Sequence, residues 1–207
     1  MAKAQAILVT WFLGSETGPA IADVLFGDYS PGGRLPASFP REVGQHPYYY
    51  SHKRTGRPNP PGALQEYKAR YRTIPNSAAY PFGHGLGYGR VEYSALDLGG
   101  GVLAADGALT VRATVRNTGS RAVEEVVQLY VHDRTASITR PVQELKAFRK
   151  LALAPGQAKT VEFTLRRTDL RFVGPSDTWI SEPGSFDLWV APSAEVEGLK
   201  GSFELGA

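Results

Sequence analysis

Trp11-Phe12-Leu13-Gly14-Ser15-Glu16-Thr17-Gly18-Pro19-Ala20-Ile21-Ala22-Asp23-Val24-Leu25-Phe26-Gly27-Asp28, running on through Pro31-Gly32-Gly33-Arg34-Leu35-Pro36 to Phe39-Pro40, reads as a strand-to-helix junction with one carboxylate at its turn. The apolar run Ala6 to Phe12 suits a buried strand and is too short to span a bilayer. Gly14 breaks it, Ser15 and Thr17 offer capping oxygens, and Pro19 fits a first helical turn. Ile21, Val24 and Leu25 then form one apolar helical face, with Gly27 as the stop. Glu16 falls in the turn. In open α/β sheets such turns project side chains into the crevice where ligands collect, which makes Glu16 the best-placed group for chemistry.

One strand and one helix cannot bury each other's apolar faces, because a layered α/β core needs several paired strands. Residues 1–42 therefore read as the incomplete end of an α/β sandwich domain, and an upstream part is expected to be missing. Residues 43–91 are dense in Pro, Gly and Tyr, as in Pro47-Tyr48-Tyr49-Tyr50 and Tyr80-Pro81-Phe82-Gly83-His84-Gly85-Leu86-Gly87-Tyr88. So long an irregular stretch is usually functional or disordered, and its aromatic content argues for a connector lying on a surface supplied by something else. Residues 92–207 read as all-β. Leu109 to Arg116 alternates with period two, Asn117-Thr118-Gly119 is a turn, and Val126 to Val131, Thr160 to Leu165 and Ser185 to Val190 are further strands. Short strands punctuated by Pro-Gly turns predict a β-sandwich of about 100 residues.

Composition narrows the chemistry. The 207 residues carry 42% apolar and 21% charged side chains, ordinary for a globular chain. The 23 basic and 20 acidic residues are interleaved, which argues against a nucleic-acid groove. With no cysteine there is no disulfide or thiolate chemistry, and His46, His52, His84 and His132 lack metal-ligand spacing. No metal or organic cofactor is implied. No apolar run is long enough for a membrane helix, and the start Met1-Ala2-Lys3-Ala4-Gln5-Ala6 lacks a signal-peptide core.

Read without any relatives, Glu16 is an acid at a helix start, favoured there by the helix dipole. Asp23 lies two turns along the helix, about 10 Å from Glu16 by helical rise, and Asp28 sits at the helix exit. Neither can face Glu16 across a scissile bond. Ser51-His52, and Ser137 with His132, lack a nucleophile elbow, and the glycines of Gly83 to Gly89 lack the flanks of a phosphate loop. Trp179 and Trp189, with Phe172 and Phe186, could form a platform for stacking sugars; filling the sandwich core is the better reading, with Trp189 turned to the other face.

The segment around Glu16, its continuation Ala22-Asp23-Val24-Leu25-Phe26-Gly27-Asp28 and then Gly33-Arg34-Leu35-Pro36 resemble a signature of the family 3 glycoside hydrolases, the β-glucosidase family. Pro19 is a minor departure. Tyr49 to Pro58 and Tyr80 to Tyr88 resemble connector segments of the bacterial periplasmic type, where His52, Arg54 and Arg57 are expected to anchor the loop. Asn117-Thr118-Gly119, Val127 to Val131, Arg140 to Phe148 and Leu153-Ala154-Pro155-Gly156 resemble the fibronectin type III-like, immunoglobulin-like domain that ends many such enzymes.

The resemblance implies the C-terminal portion of a retaining exo-β-glucosidase acting on terminal non-reducing β-glucosyl residues, exported to the periplasm or secreted. Glu16 would be its general acid/base, and the nucleophilic aspartate would come from a missing N-terminal TIM-barrel domain. The chain by itself is expected to be inactive, and β-xylosidase activity stays open beside the β-glucosidase reading. The alternative is a stand-alone carbohydrate-binding or interaction module built on the sandwich.

Overall fold

The computed structural model describes residues 4–59, 65–196 and 198–207. The first three residues and residues 60–64 of the expected connector lie outside the described residues. Among the described residues ten strands follow one α-helix: α1 (Thr17–Phe26), then β1 (Val91–Asp97), β2 (Val102–Leu103), β3 (Ala108–Asn117), β4 (Val123–Asp133), β5 (Glu144–Leu153), β6 (Ala158–Arg166), β7 (Phe172–Val173), β8 (Trp179–Ile180), β9 (Gly184–Ala191) and β10 (Leu199–Leu205). They form a three-stranded sheet in the order β1-β3-β6, a five-stranded sheet β2-β10-β9-β4-β5, and a small β7-β8 hairpin.

The period-two pattern explains the layering, since alternate side chains of a strand fall on opposite faces. On β3, Leu109, Val111, Ala113 and Val115 are buried, and they meet Val161, Phe163 and Leu165 of the adjoining β6. Val127, Leu129 and Val131 of β4, Leu188 and Val190 of β9 and Phe203 of β10 supply the facing layer. The Asn117-Thr118-Gly119 turn is held from within. The fully buried Asn117 amide donates to the carbonyls of Leu153 and Arg121, and its oxygen accepts from the Gly119 amide.

From Val127 onward β4 is buried on both faces. The second cover is the connector, which makes this sandwich the surface that its aromatics needed. Tyr50 stacks on Phe82 with ring centres 4.2 Å apart and meets Tyr130 edge-on at 6.0 Å. Tyr130 donates to Gln128 Oε1, and the Gln128 amide donates to the carbonyls of Gly83 and Pro192. Gly83 is required here: its φ is +80°, and a Cβ would lie 2.1 Å from Gln128 Oε1. Leu35 and Phe39 pair with His84 and Tyr80 through backbone hydrogen bonds, so the extended piece after α1 joins the same covering layer.

One expectation fails. Ala6 to Phe12 is not a strand; it runs as irregular chain, with Trp11 58% exposed and Phe12 fully exposed. Among the described residues no strand lies beside it to take its backbone hydrogen bonds, and a lone strand is unstable in water. The helix itself forms as read, and Gly27 closes it in the left-handed conformation at φ +86°.

Candidate functional site

Glu16 occupies the N-cap position of α1, exposed, with no side-chain capping bond. The start of the helix is instead tied by Thr17, whose hydroxyl and amide both donate to the Gly14 carbonyl. Asp23 and Asp28 are exposed and stand where the helical spacing put them, away from Glu16. A catalytic acid keeps its proton through burial and a neighbouring carboxylate. Glu16 is exposed, so burial is not supplied by the described residues.

The structure is more elaborate at the other end of α1, where no residue of the helix is buried yet its root is held by Tyr88, ahead of β1, and Arg121, ahead of β4. The Tyr88 hydroxyl donates to the Val24 carbonyl, and the Arg121 guanidinium donates to the Gly27 carbonyl while lying 5.2 Å over the Tyr88 ring. A cation at a helix C-terminus also meets the negative end of the helix dipole. Tyr29 donates to Glu124 at 2.7 Å, and Lys150 pairs with the same carboxylate. These bonds, first that from Lys150 and then that from Tyr29, hold the Glu124 carboxyl below its usual range.

Deeper, Arg34 Nη2 pairs with Glu125 at 2.8 Å, both side chains being more than nine-tenths buried. The second Glu125 oxygen accepts from the Tyr93 hydroxyl at 2.6 Å, and Arg34 Nη1 donates to the Gly33 carbonyl. Burial, followed by the Glu125 charge and its hydrogen bond, pushes the Tyr93 phenol far above its usual value, so it stays a donor. Desolvation and then the Arg34 charge push the His84 imidazole down. A cleft of about 510 Å³ lined by Arg34, Tyr93, Glu125, Leu86, Val123 and Leu199 opens beside the pair.

Sequence reading quoted Gly33-Arg34-Leu35-Pro36 for its resemblance but did not single out Arg34, Glu125 or Tyr93. An acidic residue on the inward face of an alternating strand was the available signal: Glu125 shares its face with Val123 and Val127.

Other candidates disperse. His52, Arg54 and Arg57 are exposed; the backbone carbonyls of His52 and Arg57 accept from Val142 and Ala69, so these two residues tie the loop through their main chain. Phe172 and Phe186 are buried, the latter stacked on Phe203 at 5.1 Å, as a core role requires. Trp179 is not core: it is 68% exposed on the β7-β8 hairpin, where two short strands cannot cover it. Trp189 is half-buried on the outer face, opposite Tyr130 in register. His132 is engaged with the Pro141 carbonyl, away from any catalytic pairing with Ser137.

Comparison with known proteins covers both parts of the chain. Residues 1–88 match the glycosyl hydrolase family 3 C-terminal domain, and residues 125–194 match a fibronectin type III-like domain. A periplasmic beta-glucosidase of Salmonella typhimurium is 48% identical over 98% of this chain and 26% of its own length. A beta-xylosidase of Formosa agariphila is 39% identical over 94% of the chain and 26% of its length. A solved beta-glucosidase from Listeria innocua in complex with glucose superposes with a TM-score of 0.88 at 41% identity, over 95% of this chain and 27% of that one. The chain thus spans about a quarter of the length of the curated relatives it matches.

Proposed function

The chain belongs to glycosyl hydrolase family 3, and on that premise we propose that it serves as the helix, connector and sandwich portion of a retaining exo-β-glucosidase. Its divisions are 1–42, 43–91 and 92–207. The observation that carries this reading is the continuity of the likeness: one beta-glucosidase relative follows it through helix, connector and sandwich at 48% identity. A pure binding module would have no need of the first 42 residues.

Within that reading Glu16 protonates the leaving oxygen and then activates water, and the nucleophilic carboxylate comes from a TIM-barrel domain outside these residues. Retaining hydrolysis needs two carboxyl groups about 5 to 5.5 Å apart. Asp23, two turns along the helix, cannot be the second. The groups that would keep a proton on Glu16 must therefore come from the same partner domain. The substrate is a β-glucoside, with β-xyloside open because a beta-xylosidase relative matches nearly as much of the chain. The periplasmic relative supports an exported parent.

Hydrolysis of an aryl β-glucoside decides it. The purified chain should be silent, and an enzyme joining these residues to a family 3 barrel domain should turn over and lose at least 100-fold in kcat with Glu16→Gln. Full activity in that variant would remove Glu16 from the chemistry.

A second reading, that of a carbohydrate-binding module, is favoured by the exposure of Trp179. Retardation on immobilised β-glucan that disappears with Trp179→Ala would support it.

A further inference from the structure

The hold on α1 is concentrated at one end. Its N-terminal end carries Glu16 and exposed side chains, while its C-terminal root meets Tyr88, Arg121, Glu124 and, through the following loop, Glu125. These holds are unequal. The Glu124 and Lys150 side chains are 35% and 48% exposed, and pairs so open to water contribute little. The Arg34 and Glu125 side chains are 8% and 7% exposed, tied further to Tyr93 and to the Gly33 carbonyl. Charged groups this deeply buried tolerate little displacement, because each lost bond leaves a desolvated polar atom.

We propose that Arg34 is a positioning residue: with Glu125 and Tyr93 it fixes to the sandwich the segment that follows α1 and so, together with the direct bonds of Tyr88 to Val24 and Arg121 to Gly27, sets where the far end of the helix, with Glu16, stands. The functional half of this proposal rests on the acid/base reading of Glu16. Geometry gives the amplification. A helix of 10 residues is about 15 Å long, so a pivot of about 4° at the root moves its far end by about 1 Å. A misplacement of about 1 Å at a reacting group can cost about 100-fold in rate. The sandwich would thus contribute to turnover while holding no reacting group.

Hydrogen exchange on the chain tests the mechanical half. Arg34→Met should raise exchange of the α1 amides at least tenfold and leave the β3 amides unchanged. Tyr93→Phe, which keeps the ion pair and the fold, should raise it about threefold, and Glu125→Gln, which keeps an acceptor for Arg34, should fall between. Unchanged α1 exchange in Tyr93→Phe and Glu125→Gln, or equal loosening of β3 and α1, overturns the proposal.

In the enzyme joined to a barrel domain, Tyr93→Phe and Glu125→Gln should lower kcat about threefold to tenfold, with KM within twofold and the pH profile unmoved. A rise in KM with kcat intact overturns the positioning role. Glu16→Gln separates the two readings: if it is fully active while the exchange pattern holds, the acid/base role falls and the fixing of α1 by Arg34 stands.

Discussion

Two sets of aromatic side chains in this chain behave in opposite ways, although the connector also leaves Tyr49 and Tyr67 exposed. In the connector, Tyr50 and Phe82 lie stacked on the outer face of β4. In the N-terminal segment, Phe12 and Phe26 are 103% and 85% exposed, and Trp11, 58% exposed, meets the Phe39 ring edge-on at 6.1 Å. Both regions are apolar enough to bury. The connector has a sheet face within reach and closes its polar groups on Gln128 and the main chain, whereas the segment before α1 has no strand beside it among the described residues. Burial is a property of a pair of surfaces, and composition specifies one of them.

Gly83→Val is the strongest way to break the contrast. Its side chain would collide with Gln128 at a positive φ, and we expect about 3 kcal/mol of lost stability in urea melts, with Tyr50 becoming accessible to nitration. A wild-type midpoint would mean that the connector cover is not a close fit.

Acid offers a smaller effect. Because the folded Glu124 carboxyl is held low, its contribution is fully present above the unfolded value of about 4.3 and is lost as pH falls through the folded value. Exchange of the α1 amides should therefore rise as pH falls below about 4.3, and Glu124→Gln should flatten that rise. Identical pH dependence in the variant would remove Glu124 from the hold on α1.

Phe12→Ser should change least, within about 0.5 kcal/mol in the same melts, while lowering light scattering of concentrated chain. A loss of 2 kcal/mol or more would show that this ring is packed in solution, and the contrast between the two regions would fail.

These regions also mark what a sequence can and cannot specify. Leu109 to Arg116 announces β3 because alternation is local, and Gly27 announces the end of α1 because one left-handed residue closes a helix. Ala6 to Phe12 carries a strand's composition, yet strand formation depends on a neighbour that no local pattern encodes. Glu16 could be placed at its turn from sequence, because the glycine and the apolar helical face around it are local signals. Arg34 and Glu125 are separated by 91 positions, and their meeting follows from how the extended piece after α1 is laid against β4.

The same closure has a practical meaning for anyone wishing to transplant the β-sandwich into another protein. Strand β1 starts at Val91, but a cut made there would strip the aromatic cover from Tyr130 and Gln128 and leave Glu125 without its guanidinium. The unit that can be moved intact begins ahead of Ser30, whose hydroxyl already accepts from the Tyr88 amide. The portable module is thus some 60 residues longer than its strands suggest, measured from Ser30 to Val91.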